Sequence, residues 1–253
     1  MSTESPDSKS DANNWALPTG RLKVKTVPVG AVNLNVDGRQ VTNPLQGFGP
    51  LWQRTYRVRL AGVLASAADV MKVWKAEFPR FHPPYNRFYP PAAGIVPGEI
   101  MLINTSPVLG VPPVNAGVMV MYVDDTSFAI TTPEGFPEAG WNEFSAFVDE
   151  PDGTTVAQVQ SMARAADPVY EIGFRLIGAR QQANIWRCVL SNLAAHYGLT
   201  VAEADISVTD VCIDPRLNWQ AARNVWQNAM IRSMLYSLAR PVRWARRQLL
   251  RRE

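Results

Sequence analysis

Apolar and polar residues alternate along the first two thirds of the chain, and near residue 168 the apolar spacing changes to steps of three and four. Leu22 to Thr42 alternates weakly around the turn pair Asp37-Gly38, which predicts a hairpin. After the Gly47-Phe48-Gly49-Pro50 break, Tyr56, Val58 and Leu60 fall on one face of a strand. Ser66 with Asp69 forms a helix-start signature, and Val70, Val73, Trp74 and Phe78 follow at helical spacing, so a short amphipathic helix turns Trp74 inward. Five short runs come next (EIMLINTS, GVMVMYVDD, SFAITT, NEFSAFVDE and TTVAQVQSMA), separated by Pro, Gly and Asp, and they predict a meander of antiparallel strands. In the last run Val156, Val159 and Met162 break strict alternation, which predicts a bulge or a partly buried second face.

Asp167-Pro168 places an N-cap before a proline at the first helical position. Val169, Ile172, Leu176, Ala179, Ala183, Trp186, Leu190 and Leu193 then form the longest helical stripe in the chain, ending at Tyr197-Gly198. Such a stripe suits a long helix lying across the five strands. Gly173 and Gly178 interrupt it, each costing about 1 kcal/mol relative to alanine. They imply a close approach, by the sheet backbone or by a ligand beside the helix. A second Asp-Pro pair, Asp214-Pro215, predicts another helix through Trp219, Ala222, Trp226, Ala229 and Met230, broken at Pro241.

The pattern divides the chain into a disordered tail at 1–20, a β extension at 21–44, a main α+β domain at 45–198, a linker at 199–213 and a basic helical tail at 214–253. With 253 residues, 47% of them hydrophobic and 19% charged, the chain is globular. The first fourteen residues hold no apolar run of the kind a secretory leader needs, and the longest clean apolar run, Val118 to Val123, is too short to span a bilayer. The expectation is a cytoplasmic protein. Cys188 and Cys212 read as reduced core residues, and two histidines without cysteine clusters predict no metal site.

The net charge of +3 conceals an asymmetry. Residues 1–213 carry 16 Lys and Arg against 20 Asp and Glu, whereas 214–253 carry 9 Arg against 2 acids, so −4 and +7 make up the total. Arg240, Arg243, Arg246, Arg247, Arg251 and Arg252 surround Trp244, Leu249 and Leu250, a composition suited to the inner face of an anionic membrane. Nonspecific phosphate binding and a merely solvated end are the alternatives. With basicity confined to this tail, nucleic acid is not the expected partner of the main domain.

Chemistry is harder to locate. No dinucleotide, P-loop, zinc-protease or hydrolase signature occurs, so no cofactor is predicted. Glu134, Glu138 and Glu143 sit in or beside the turn at 132–140, where Pro and Gly predict solvated acids at a corner that displays Phe136 and Trp141. The stretch FPRFHPPYNRFYPP carries Phe81, His82, Tyr85, Phe88 and Tyr89 on a proline-stiffened loop, which either lines the mouth of an apolar pocket or covers the core. His82, Tyr85 and Glu99 are the weak candidates for proton transfer, as in a cyclase-like or hydrolase-like enzyme.

Thr132, Gly135, Phe136, Pro137, Gly140, Trp141, Asn142 and Phe144, followed by Arg164, Gly173 and Gln181, resemble in order the turn, strand end and long helix of uncharacterised protein family 0548. That family is a domain of unknown function related to the helix-grip START and Bet v 1-like superfamily. Gly47-Phe48-Gly49 and Trp74 match its opening and first helix, and the resemblance covers about 47–196. It implies a helix-grip fold, with an antiparallel sheet wrapped around a long C-terminal helix. Where the family turn has histidine and paired glutamates, this chain has Phe136, Trp141 and Asn142, so proton-transfer groups are replaced. The expected function is noncovalent binding of an apolar or amphiphilic small molecule, such as a lipid, quinone or polyketide-like compound. Trp74, Phe81, Tyr85, Phe88, Tyr89, Phe136, Trp141 and Gly173 are its expected contacts, and a structural or partner-binding protein is a further alternative.

Overall fold

In a computed structural model, which describes residues 11–106 and 112–239, the alternating segments pair into one eight-stranded antiparallel sheet. Its strands are β1 (Leu51–Arg59), β2 (Asn86–Tyr89), β3 (Ile100–Thr105), β4 (Asn115–Val123), β5 (Ser127–Thr131), β6 (Glu138–Asp149), β7 (Thr154–Ala165) and β8 (Ser207–Asp214). The order across the sheet is β2-β3-β4-β5-β6-β7-β1-β8. Helix α1 (Ala67–Phe81) starts on the Ser66–Asp69 capping box that the sequence predicts. At the end of β7, Asp167 caps helix α2 (Pro168–Gly173), accepting from the amides of Val169 and Tyr170 at 2.8 and 3.0 Å. A π turn, Phe174–Gly178, joins α2 to helix α3 (Ala179–His196), and this composite helix lies against the sheet with α1. The fold is the α+β helix-grip arrangement.

Between the sheet and the helices, one end of the core is filled with rings. Phe128 and Phe144 stack at 4.6 Å, Phe78 meets Phe88, Phe128 and Phe144 edge-on at 5.1–5.4 Å, and Trp74 and Trp186 pack on Phe144 at 5.6 and 5.5 Å. Leu190 and Leu193 of α3 complete this cluster. Edge-to-face and offset contacts of this kind add to the area buried.

Several elements differ from the sequence expectation. Within 22–42 the arms meet only at Leu22, whose amide donates to Arg39 O at 2.7 Å and whose carbonyl accepts from Gly38 N at 2.9 Å, and no ladder follows. The segment is held instead by the outer face of the sheet, where Leu22 and Val36 pack on Leu102 and Met119. Residues from Trp15 onward lie there too, with Trp15 against Tyr122 at 4.7 Å, so only 1–10 of the expected disordered tail fall outside the described residues. The expected linker contains β8, which pairs with β1, and the aromatic loop contains the last turn of α1 and all of β2. β7 pairs with β6 over twelve residues without a bulge, and its second face is buried.

Asp214-Pro215 starts no helix. Asp214 ends β8, a 3-10 segment covers Trp219–Gln227, and helix α4 (Ala229–Leu238) begins where Asn228 Oδ1 accepts from Ile231 N at 3.0 Å. Nothing lies within 4 Å of a Cβ built on Gly173, and on Gly178 the near atom is Phe174 Cδ1 of the same helix, at 2.6 Å. Sheet backbone therefore approaches neither glycine.

Candidate functional site: a cavity between sheet and helix

At the opposite end from the ring cluster, the π turn and the start of α3 do not close onto the sheet. A cavity of about 330 Å³ remains. Its floor is the concave face of β2 to β6 (Phe88, Ile103, Ala116, Val118, Ile130 and Asn142), and its roof runs from Val169 to Trp186. Phe136 and Met230 close one side. The volume lies at the small end of the range for small-molecule pockets, and the lining is mostly apolar with a few polar groups, as such pockets require.

The turn at 132–140 holds its shape through Gly135, whose φ of +83° suits glycine and whose missing side chain lets the Gln227 backbone come against it. Gly135 O accepts from Ala229 N at 2.8 Å and from the Tyr170 hydroxyl at 3.3 Å, and that hydroxyl accepts from Met230 N at 2.9 Å. Asn228 Nδ2 donates to Asp167 Oδ2 at 2.8 Å. The turn, the cap of α2 and the start of α4 thus form one bonded corner beside the cavity.

The polar wall belongs to β6 and α3. Glu138 opens β6 and is buried, unlike the solvated turn acid that the sequence suggests; both its oxygens accept from Gln182 Nε2 at 2.8 Å. Gln182 Oε1 in turn accepts from Arg54 Nη1 at 2.8 Å. Burial pushes the Glu138 carboxyl pKa up, opposed by the charge of Arg54 and by the Gln182 bond. Asn142 is also buried, and its Oδ1 has no hydrogen-bond partner among the described residues.

Of the expected contacts, Phe88, Phe136 and Gly173 line this cavity. Trp74 and Phe81 belong to the filled core, because α1 presses them onto the sheet. Tyr89 donates its hydroxyl to Gly30 O at 3.1 Å, and Trp141 faces the outer groove with Trp15 and Glu143, since odd positions of β6 point away from the helices. Burial, then Asp124, raises the Glu143 pKa.

The three proton-transfer candidates lie apart from the cavity and from one another. His82 is enclosed by Phe78, Phe88 and Trp186, has no hydrogen-bond partner on either nitrogen among the described residues, and burial drives its pKa to about 3. Burial raises the Tyr85 pKa, with Cys188 and Glu203 nearby. Glu99 pairs with Lys25. Among the described residues no cluster of His, Cys, Asp or Glu could hold a metal ion, and Cys188 and Cys212 are free, Cys212 being exposed rather than in the core. The basic residues from Arg240 to Arg252 lie outside the described residues.

An antiparallel sheet closed over a long helix, with a cavity between them, defines a helix-grip domain. The chain belongs to the family described as Domain of unknown function (DUF1990), whose model matches residues 48–191, in keeping with the resemblance read from the turn and long helix. No curated protein matches the chain. Among solved structures it is similar to the di-domain ARO/CYC StfQ from the steffimycin biosynthetic pathway, at 11% identity and a TM-score of 0.43, covering 59% of this chain and 53% of that one. The chain thus spans about half the length of that di-domain protein. It is also similar to a START superfamily protein from Mycobacterium smegmatis (14% identity, 57% of this chain and 99% of that one, TM-score 0.40). A third is major latex-like protein 151 from Panax ginseng (14%, 59% and 99%, TM-score 0.35).

Proposed function

We propose that this domain binds an apolar or amphiphilic small molecule, of the size of a compact lipid, quinone or polyketide-like compound, between the sheet and the α2–α3 helix. The observation that carries the reading is the cavity of about 330 Å³, apolar except for Glu138, Gln182, Asn142 and a few edge groups. The contacts are Phe88, Phe136, Ile130, Val118, Leu176 and Ile185. Native mass spectrometry of the protein purified from its own host tests this. A bound mass of a few hundred daltons that organic solvent releases is expected, and ligand-free protein throughout would overturn the reading.

The finer part of the proposal concerns location, cytoplasmic and at an anionic membrane surface. Among the described residues no helix is long and apolar enough to cross a membrane. Helix α4 exposes Ile231, Met234, Leu235 and Leu238 immediately before the basic stretch Arg240–Arg252. Apolar side chains beside arginines favour an anionic interface, each charge contributing about 1 kcal/mol. The intact chain should float with anionic vesicles and not with neutral ones, and removal of 241–253 should abolish flotation. Equal flotation with neutral vesicles, or flotation that survives the deletion, would refute the location.

A further inference from the structure

Within the cavity the polar groups are unequal, and the inequality bears on what the bound molecule carries. Glu138 and Asn142 stand on the same face of β6, four residues apart, which is about 13 Å of extended strand. One small polar head can therefore engage only one of them. Glu138 already accepts two hydrogen bonds from Gln182, and Gln182 is held by Arg54, so that end is satisfied within the protein. Asn142 is only 5% exposed and lines the cavity, yet its Oδ1 has no partner among the described residues. A buried acceptor left unpaired costs free energy comparable to that of a hydrogen bond, so a ligand donor that meets it recovers that cost.

The indole of Trp186 lines the same cavity, and its N–H is likewise buried and unpartnered among the described residues. An unpaired acceptor and an unpaired donor together favour a group able to do both, which is a hydroxyl. Charge argues the same way. Glu138 is the one carboxyl lining the cavity, and no lysine, arginine or histidine of the described residues lines it, so an anionic head would find no counter-ion there.

We infer that the cavity is selective for a neutral hydroxyl-bearing amphiphile, an alcohol or a phenol, whose O–H donates to Asn142 Oδ1 while its apolar body extends toward Leu176 and Ile177 at the mouth. The inference rests on the binding function proposed above and assigns Asn142 as the residue that sets its specificity. Leu176 and Ile177 are 72% and 42% exposed, which makes that side of the roof the open one.

Equilibrium dialysis of the full chain at pH 7 against 2-naphthol, 2-methylnaphthalene and 2-naphthoate tests it. The three probes share one apolar body and differ in the head. The parent should bind 2-naphthol about tenfold more tightly than 2-methylnaphthalene, with 2-naphthoate weakest. Asn142→Leu and Asn142→Ala should each weaken 2-naphthol about tenfold and leave 2-methylnaphthalene unchanged or tighter. Two variants are used so that a folding defect in one does not decide the outcome, and the thermal transition of each is recorded alongside. Equal binding of the two neutral probes by the parent, a variant effect identical on both, or 2-naphthoate binding tightest would overturn the assignment of Asn142 while leaving a binding cavity. Failure of all three probes to bind would overturn the cavity as a binding site and the inference with it.

Discussion

The two ends of the space beneath the sheet are built from the same kinds of residue and finish differently. Toward α1 the strands present Phe128, Phe144 and Val159, and two helices bring Trp74, Phe78, Trp186 and Leu190 down on them until no space is left. Toward the π turn the strands present Ala116, Val118 and Ile130, only one helix lies above, and its roof residues Leu176 and Ile177 face partly outward. Apolar lining alone does not make a core. What separates a packed end from a hollow one is the number of elements covering the sheet and the volume of the side chains at the bottom.

The comparison can be broken most easily at the packed end. Phe144→Ala should cost about 3–5 kcal/mol in denaturant unfolding, because the rings around it cannot collapse into the gap; a loss under 1 kcal/mol would mean that this end is loosely filled. His82 gives the next largest effect. With its pKa lowered from 6.5 to about 3 by burial, the neutral ring stabilises the fold above pH 6.5, and that contribution is lost as pH falls toward 3. At pH 4 the parent should therefore trail His82→Phe by about 3 kcal/mol relative to their difference at pH 7.5, followed by urea unfolding at both pH values.

A matched pair of additions sharpens the contrast. Val159→Phe at the packed end should cost about 1–3 kcal/mol through overpacking, whereas Val118→Phe, which enters the cavity, should cost less than about 1 kcal/mol and abolish 2-naphthol binding. Similar costs at both sites in urea melts would mean that the cavity closes in solution. Gly173→Ala carries the smallest effect, a gain of about 0.5–1 kcal/mol in the thermal transition, since the glycine is helical, exposed and free of neighbours. A loss there would show that a closed form of the cavity uses the missing side chain.

These same residues show what the sequence could convey. The β3–β7 meander, the capped α1 and the Asp167 cap were legible because each rests on local rules, alternation within a strand or a side chain bonding an amide three residues away. β8 was not, since residues 207–214 are exposed at the sheet edge and their pairing with β1 crosses about 150 residues of chain. The site was half legible. Phe88 and Phe136 were found as aromatics near turns, but Trp141 was assigned inward although Phe144 lies three residues away, an odd separation that puts the two on opposite faces. The same parity, counted back from Phe144, sets Asn142 and Glu138 toward the helices. Composition at the turn obscured it, because proline and glycine beside a carboxylate read as solvent.

The π turn has a consequence for chain length. Each residue of an α-helix advances the backbone by about 100°, and a π turn holds one residue more than the α-helix it replaces. Loss of a single codon within 174–178 would thus leave hydrophobicity, caps and charge almost untouched and still rotate Pro168–Gly173 by roughly a quarter turn relative to Ala179–His196. Tyr170 would swing away from Gly135 and Met230 together, and the corner beside the cavity would come apart. In this stretch the spacing is itself a structural constraint, so substitutions would be accepted where a one-residue deletion would not.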